Sequence, residues 1–238
     1  MAFKLIFPGL TAIIFLIIIL TSSAWSSKIG VQWSQYDFIN GQFNYQIGLL
    51  IISLLSAAVA YAIAPENFKM LFRLGDITAA GHEVKWLGIK EGDSWLKTGI
   101  SLSIVITLVT GLFLYLQLRG NELNWSSLWK VFGFIILFSL TNSFAEEIVF
   151  RLGIAVPYLG KLAPSTIAVV SALIFGAAHL KGTPGGLLGM FLSGVLGYIL
   201  TISMIETRGL FWPCLIHFLQ DVVILSALFL LNESNTLG

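Results

Sequence analysis

Long apolar stretches, separated by short polar segments, recur along the whole chain. Each stretch is close to the ~20 residues that an α-helix needs to cross a bilayer. We therefore predict an all-α fold, a polytopic membrane helix bundle with about seven transmembrane helices. The predicted spans are residues 5–25, 46–64, 99–118, 128–150, 165–180, 184–203 and 210–231.

The first apolar run has two interpretations. Lys4 precedes it and the small residues Ser22, Ser23 and Ala24 follow it, as in a cleaved signal peptide. The run is also long enough to span the membrane, and further spans come after it. We favour an uncleaved first helix, followed by a polar, aromatic loop at 26–45.

Residues 65–98 form the one long hydrophilic segment. Its first part, 66–74, alternates charged and apolar residues, which indicates a short amphipathic helix on the membrane surface. Because basic loops stay in the cytoplasm, we predict that this segment and the N-terminus are cytoplasmic. We also predict that the membrane is the plasma membrane. The basic residues concerned are Lys69, Arg73, Lys85, Lys90 and Lys97.

Composition agrees with a membrane protein, since 57% of the residues are hydrophobic and only 11% are charged. A soluble domain carries about 25% charged residues. The net charge of +1 gives no basic field, so we expect no nucleic-acid partner. The partners that remain are the lipid bilayer and a membrane-associated peptide or protein. A single cysteine excludes an intramolecular disulfide.

Charged residues inside membrane spans are costly and usually functional. The fourth predicted span ends with Glu146 and Glu147, followed by Arg151. Residues four apart share a helical face, so Glu147 and Arg151 are placed to form an ion pair. Glu146 points elsewhere and is left free to face a cavity as a general base.

Two further predicted spans carry histidines. His179 follows Phe175 by one helical turn, so Phe175 is placed to wall the same site. His217 and Asp221 form another i,i+4 pair. Apolar residues follow Asp221 to the end of its span, which places this carboxylate well inside the membrane, where it needs a partner.

The sixth predicted span carries small residues on one face, which allows a neighbouring helix to approach closely. These residues are Gly185, Gly189, Ser193, Gly197 and Thr201. We expect this packing to bring the histidine-bearing spans near Glu146.

Two chemistries suit these side chains. In the first, Glu146 takes a proton from water, His179 orients that water, and His217 with Asp221 stabilises an oxyanion. In the second, the same four residues, Glu146, His179, His217 and Asp221, bind zinc, and the metal activates the water. The contiguous H-E-x-x-H motif of common zinc proteases does not occur in the chain.

The motifs Glu146-Glu147-x-x-x-Arg151, Phe175-x-x-x-His179 and His217-x-x-x-Asp221, in this order, resemble those of the CPBP intramembrane proteases. This family includes the type II CAAX prenyl endopeptidases and the bacteriocin-processing Abi proteins. The resemblance implies an intramembrane endopeptidase, of glutamate type or metalloprotease type. It gives Glu146, His179, His217 and Asp221 catalytic roles and makes Glu147, Arg151 and Phe175 supporting residues.

The third motif ends in Asp221, where CAAX endopeptidases have asparagine, so prenylated proteins are not implied as substrates. We divide the chain into N-terminal membrane helices at 1–127, which include the loop at 65–98, and a CPBP-like catalytic bundle at 128–238, within one compact membrane domain. Two other functions stay open: a membrane adaptor or immunity protein without enzymatic activity, and a proton-coupled transporter. The transporter is disfavoured because the polar groups occupy one half of the chain rather than two repeats.

Overall fold

The computed structural model describes residues 32–237 together with Ile17, and side chains as far as residue 234. The predicted first span at 5–25, and the choice between a signal peptide and a helix, lie outside the described residues. Within that part of the chain the regular structure is helical, and the only β-type pairings are isolated bridges such as Ala80 with Ser94.

The helices follow one another along the chain with short connections. In order, they are α1 (Asp37–Ile63), α2 (Pro65–Leu71), α3 (Trp95–Leu118), α4 (Trp125–Glu147), α5 (Gly153–Tyr158), α6 (Pro164–Ala178), α7 (Gly186–Thr207) and α8 (Phe211–Leu237). Short 3-10 turns lie at Lys85–Leu87 and His179–Lys181, and a π-helical segment, Ile148–Leu152, joins α4 to α5.

Six helices in the described residues are long and apolar enough to cross a membrane. They are Asp37–Ile63, Trp95–Leu118, Trp125–Tyr158, Pro164–Lys181, Gly186–Thr207 and Phe211–Ser234. Each corresponds to one of the spans predicted after the first, so the chain is a multi-pass helical membrane protein, as predicted.

Two boundaries differ from the prediction. The fourth span, predicted to end at residue 150, is longer, because the helix that carries the glutamates continues through the π-helical segment to Tyr158 and is 34 residues long. A β-carbon at Gly153 would lie 2.5 Å from Ser56 Oγ, so glycine lets this helix pass close to α1. Helix α1 also begins at Asp37, inside the segment predicted as a loop, and it buries Asn44 and Gln46.

Gly197 and Thr201 of α7 pack against α6, as predicted. A β-carbon at Gly197 would lie 3.2 Å from Ala172 Cα, and the Thr201 hydroxyl donates to Ser171 Oγ at 2.9 Å. Gly185 precedes the first residue of α7, and a β-carbon at Gly189 would meet the Pro184 carbonyl rather than α6. This close packing places the end of α6, and with it His179, beside α7.

The hydrophilic segment after α1 folds back onto one end of the bundle. Its first part is the short helix α2, which was predicted to lie on the membrane surface. Leu71 in α2 is fully buried, and Asn67 donates to the carbonyls of Val156 and Leu159. Helix α2 therefore packs on protein through these groups. Which side of the membrane this end faces, and whether the membrane is the plasma membrane, stay predictions.

Candidate active site

Helices α4, α6 and α8 bring the predicted site residues together. Glu146 and Glu147 end α4, His179 follows the last residue of α6, and His217 and Asp221 lie in α8. A cavity of about 260 Å³ is lined by Phe175, His179, His217 and Asp221, with its other walls mainly from α3 and α7. The candidate site therefore lies in the interior of the bundle.

Glu147 and Arg151 form the predicted ion pair. Arg151 Nε lies 3.1 Å from Glu147 Oε2, and both side chains have no exposed surface. The two atoms are close but lack the alignment of a hydrogen bond. The Arg151 guanidinium also lies 3.9 Å above the centre of the Phe175 ring, a geometry that stabilises a buried cation. Glu147 lies just before the π-helical segment and Arg151 lies within it, and such segments are frequent at functional sites.

Glu147 has a second partner that the sequence did not predict. Its Oε1 accepts a hydrogen bond from His217 Nδ1 at 2.8 Å. This bond links α4 to α8 and fixes the orientation of the imidazole. His217 Nε2 then lies 3.6 Å from Asp221 Oδ1 and 3.8 Å from Glu146 Oε2. Nε2 therefore lies near both carboxylates.

Glu146 is almost completely buried, with 5% of its surface exposed, and it has fewer close polar partners than Glu147. Its Oε1 accepts a hydrogen bond from the Tyr45 hydroxyl at 3.3 Å. Its Oε2 has no hydrogen-bond partner among the described residues. Glu146 is not among the described residues that line the cavity, but its carboxylate lies next to His217, which lines it.

His179 has a defined tautomer in its neutral form. Its Nδ1 lies 2.9 Å from the Phe175 carbonyl oxygen. A carbonyl can only accept, so Nδ1 carries the proton and Nε2 is the acceptor. The centres of the His179 and Phe175 rings are 4.3 Å apart, and the Phe175 ring also contacts His217 edge-on. Phe175 thus walls the site, as predicted, and separates the two histidines.

The site contains residues that the sequence reasoning missed. Asp221 Oδ2 accepts from Asn142 Nδ2 at 3.0 Å, and Asn142 Oδ1 accepts from Gln46 Nε2 at 3.3 Å. Together with Tyr45, these residues connect α1 to the site. Asn142 lies one helical turn before Glu146, and Tyr45 and Gln46 belong to a polar run at the edge of an apolar stretch, which could have indicated them.

The residues predicted as zinc ligands are near one another, but they do not form a ready-made metal site. In the described part of the chain, no group of three or more histidine, cysteine, aspartate or glutamate side chains is arranged to hold a metal ion. Zinc binding by Glu146, His179, His217 and Asp221 stays a prediction, and no step of the mechanism below depends on it.

The fold and the site together define a class of protein: a multi-pass helical membrane protein with carboxylates and imidazoles gathered in its interior. The model of the family described as Type II CAAX prenyl endopeptidase Rce1-like matches residues 125–223. Comparison with curated proteins gave no match, and neither did comparison with solved structures. The match over residues 125–223 supports the resemblance of this chain to the CPBP family of CAAX-type proteases.

The family match runs from the start of α4 into α8 and contains all three motifs. Helices α1, α2 and α3 lie outside it. The predicted division of the chain into parts at 1–127 and 128–238 stays a prediction.

Proposed function

We propose that the protein is an intramembrane endopeptidase that hydrolyses a peptide bond of a membrane-associated peptide or protein. One observation carries the proposal: His217 Nε2 lies 3.6 Å from Asp221 and 3.8 Å from Glu146, and His217 and Asp221 line a cavity that His179 also lines. Buried ionisable groups at membrane depth are expensive and are kept mainly for function. The family match supports the same activity.

In the first step, Glu146 acts as the general base. Its Oε2 is buried and has no hydrogen-bond partner among the described residues, so this atom is free to take a proton from water. His179 orients the water, because the Phe175 carbonyl holds its Nδ1–H and leaves Nε2 as an acceptor. The water oxygen then bonds to the carbonyl carbon of the scissile peptide.

In the second step, His217 stabilises the oxyanion. In its protonated form His217 donates Nδ1–H to Glu147, and its second proton, on Nε2, points into the space beside Glu146 and Asp221 and can be donated to the oxyanion. The tetrahedral intermediate breaks its C–N bond, and Glu146 returns its proton to the leaving nitrogen. Arg151 balances the charge of Glu147 throughout.

Substrate choice depends on the cavity and on Asp221. The cavity holds about 260 Å³, which is roughly the volume of nine waters in the liquid. Its walls are mostly apolar, with Thr110 and Gln220 as polar neighbours 3.1 Å apart. We expect it to accept a short apolar part of a peptide. Whether that peptide is prenylated is a separate question, because Asp221 replaces the asparagine of CAAX endopeptidases.

The test uses the purified full chain in proteoliposomes with two sets of quenched fluorogenic peptides. One set ends in a prenylated CAAX sequence, and the other is anchored by a single apolar helix. Cleavage should add one water oxygen to the new C-terminus, which mass spectrometry detects in ¹⁸O-labelled water. His179→Ala should lower kcat/KM by about 10²–10⁴-fold.

The matched control is Lys181→Ala, an exposed position two residues further on, which should cleave at the wild-type rate. Equal turnover by His179→Ala and wild type would reject the proposed mechanism. Proton flux into the liposomes without cleavage of either peptide set would favour a transporter. A cellular phenotype that survives all the motif substitutions would favour an adaptor or immunity protein.

Zinc has its own test on the same preparation. Bound metal is measured by mass spectrometry before and after chelation, in parallel with the cleavage rate. Loss of one zinc per chain together with activity would assign the water activation to a metal. Full activity of metal-free protein would assign it to Glu146 and His179.

A further inference from the structure

Helix α1 lies outside the segment that matches the family model, yet it contributes polar groups to the candidate site. Two neighbouring residues of α1 make these contacts. Tyr45 reaches Glu146, and Gln46 reaches Asn142, which is one turn before Glu146 on α4. Residues four apart share a helical face, so α1 packs against the face of α4 that carries the catalytic base.

The contact of Gln46 extends across α4 to α8. Gln46 Nε2 donates to Asn142 Oδ1 at 3.3 Å, and Asn142 Nδ2 donates to Asp221 Oδ2 at 3.0 Å. An ionised carboxylate can only accept hydrogen bonds, so the direction of both bonds is fixed from α1 towards Asp221. The Thr141 hydroxyl lies 2.9 Å from Gln46 Oε1 and orients the other end of the Gln46 amide.

The contact of Tyr45 concerns the other carboxylate. The Tyr45 hydroxyl is the hydrogen-bond donor to Glu146 Oε1, at 3.3 Å. With Oε1 held in this way, Oε2 is the oxygen that faces His217 Nε2, at 3.8 Å. A carboxylate in an apolar core that lost this donor would be free to turn about its last bond.

We propose that Tyr45 and Gln46 make α1 part of the catalytic apparatus: Tyr45 positions Glu146, and Gln46 positions Asp221 through Asn142. This inference rests on the proposed function. Neither α1 residue lines the cavity among the described residues, so both act through other side chains and are positioning residues. Their effect falls on the chemical step and not on substrate binding.

The test measures kcat and KM separately for Tyr45→Phe and Gln46→Glu in proteoliposomes with a cleaved fluorogenic peptide. Tyr45→Phe removes one hydroxyl, and Gln46→Glu keeps the size but removes the donor to Asn142. Each should lower kcat by roughly 10- to 100-fold, because misplaced catalytic groups lose much of their effect. KM should stay within about twofold, since ground-state binding is unchanged.

The matched control is Ser53→Ala, which lies on the same helix. Ser53 is as buried as Gln46, and its hydroxyl bonds to the Leu50 carbonyl of its own helix. It should leave kcat unchanged. A similar loss of kcat in Ser53→Ala, or an unchanged kcat in Tyr45→Phe and Gln46→Glu, would overturn the inference.

A second measurement does not need cleavage. Thermal unfolding of Gln46→Leu, Asn142→Leu and the double variant tests whether the two residues are coupled. The double variant should shift the unfolding midpoint by less than the sum of the single shifts. Additive shifts would overturn the link from α1 to Asp221, whereas absence of cleavage in the wild type would overturn only the proposed function.

Discussion

Glu147 and Glu206 each lie within 3.2 Å of a histidine Nδ1, but the surroundings of the two carboxylates differ. Glu147 binds His217 Nδ1 at 2.8 Å, and both side chains are almost completely buried. Glu206, near the end of α7, lies 3.2 Å from Nδ1 of His82, whose side chain is 78% exposed. The first pair lies beside the cavity, and the second lies under the hydrophilic segment.

Glu206 has a donor for each of its oxygens. Trp95 Nε1 donates to Oε2 at 2.6 Å, and the backbone N–H of His82 donates to Oε1 at 3.2 Å. Both donors come from the segment that folds back onto the bundle or from the start of α3. Glu206 therefore holds these parts together. Asp76 in the same segment is similarly satisfied, since hydrogen bonds from Thr78 lower the pKa of its carboxyl.

Around Glu147, by contrast, several buried polar atoms lack a hydrogen-bond partner among the described residues: Glu146 Oε2, Glu147 Oε2 and the three guanidinium nitrogens of Arg151. Glu147 and Arg151 offset each other as an ion pair, whereas Glu146 Oε2 has no such compensation. Buried polar groups are nearly always hydrogen-bonded, so such exceptions need an explanation. A satisfied carboxylate such as Glu206 stabilises a fold. An unsatisfied one such as Glu146 is available to water or substrate, which is why we assign the chemistry to α4 and not to α7.

A large difference in kcat is expected between substitutions of the two histidines. His217→Ala removes the proposed oxyanion donor and should lower kcat by about 10²–10³-fold, as for loss of an oxyanion donor in other enzymes. His82→Ala removes an exposed ring and should leave kcat unchanged. Peptide cleavage in proteoliposomes measures both. Equal activities of the two variants would contradict a catalytic role for His217 that His82 lacks.

The next largest effect should be on stability. Glu147→Ala leaves Arg151 buried without its carboxylate and should lower the free energy of unfolding by about 3–5 kcal/mol. Denaturant or thermal unfolding in detergent measures the loss. The double variant Glu147→Ala with Arg151→Met should regain part of it, because the buried charge is removed. No recovery would mean that the ion pair is not the cause.

Glu206→Ala should destabilise less. It leaves Trp95 Nε1 without an acceptor, which should cost about 2–3 kcal/mol. The hydrophilic segment should then be cut faster by added protease, while the remaining intact protein keeps the wild-type kcat. Time courses of limited proteolysis, followed by gel and mass spectrometry, report the first effect. A fall in kcat that matches the one in His217→Ala would contradict a purely structural role for Glu206.

The smallest effects should come from adding one methyl group beside Phe175 in the candidate site and one beside Glu206. Gly197→Ala would bring a β-carbon to 3.2 Å from the Phe175 ring, and Gly81→Ala would bring one to 3.0 Å from Glu206 Oε2. Each should lower the free energy of unfolding by about 1 kcal/mol. Only Gly197→Ala should also lower kcat, because Phe175 contacts both site histidines. A loss of kcat in Gly81→Ala but not in Gly197→Ala would contradict the assignment of the chemistry to the site that contains Phe175.

The sequence predicted those features that depend on local spacing. The i,i+4 rule predicted the Glu147–Arg151 pair, and the run of apolar residues predicted the spans. The bond from Glu147 to His217 was not predictable, because it joins residues 70 positions apart on different helices. The π-helical segment at Ile148–Leu152 was also missed, since apolar periodicity does not distinguish a π turn from an α turn.

The contribution of α1 was missed for a related reason. Gln46 was placed at the start of a span, and Tyr45 in a loop at the interface, where polar and aromatic residues are common. In the structure Gln46 is 4% exposed, and its amide is satisfied by Thr141 and Asn142. A buried polar side chain that is hydrogen-bonded by another helix has the same local sequence pattern as one that faces the lipid headgroups.

The most direct test of the account compares Glu146→Gln with Glu206→Gln in the same proteoliposome cleavage assay. Both substitutions keep the size of the side chain and remove a buried carboxylate. Glu146→Gln should lower kcat by about 10²–10⁴-fold with little change in the unfolding midpoint, because a general base is lost. Glu206→Gln should cleave at the wild-type rate. Cleavage by Glu146→Gln at the wild-type rate would contradict the claim that Glu146 activates the water.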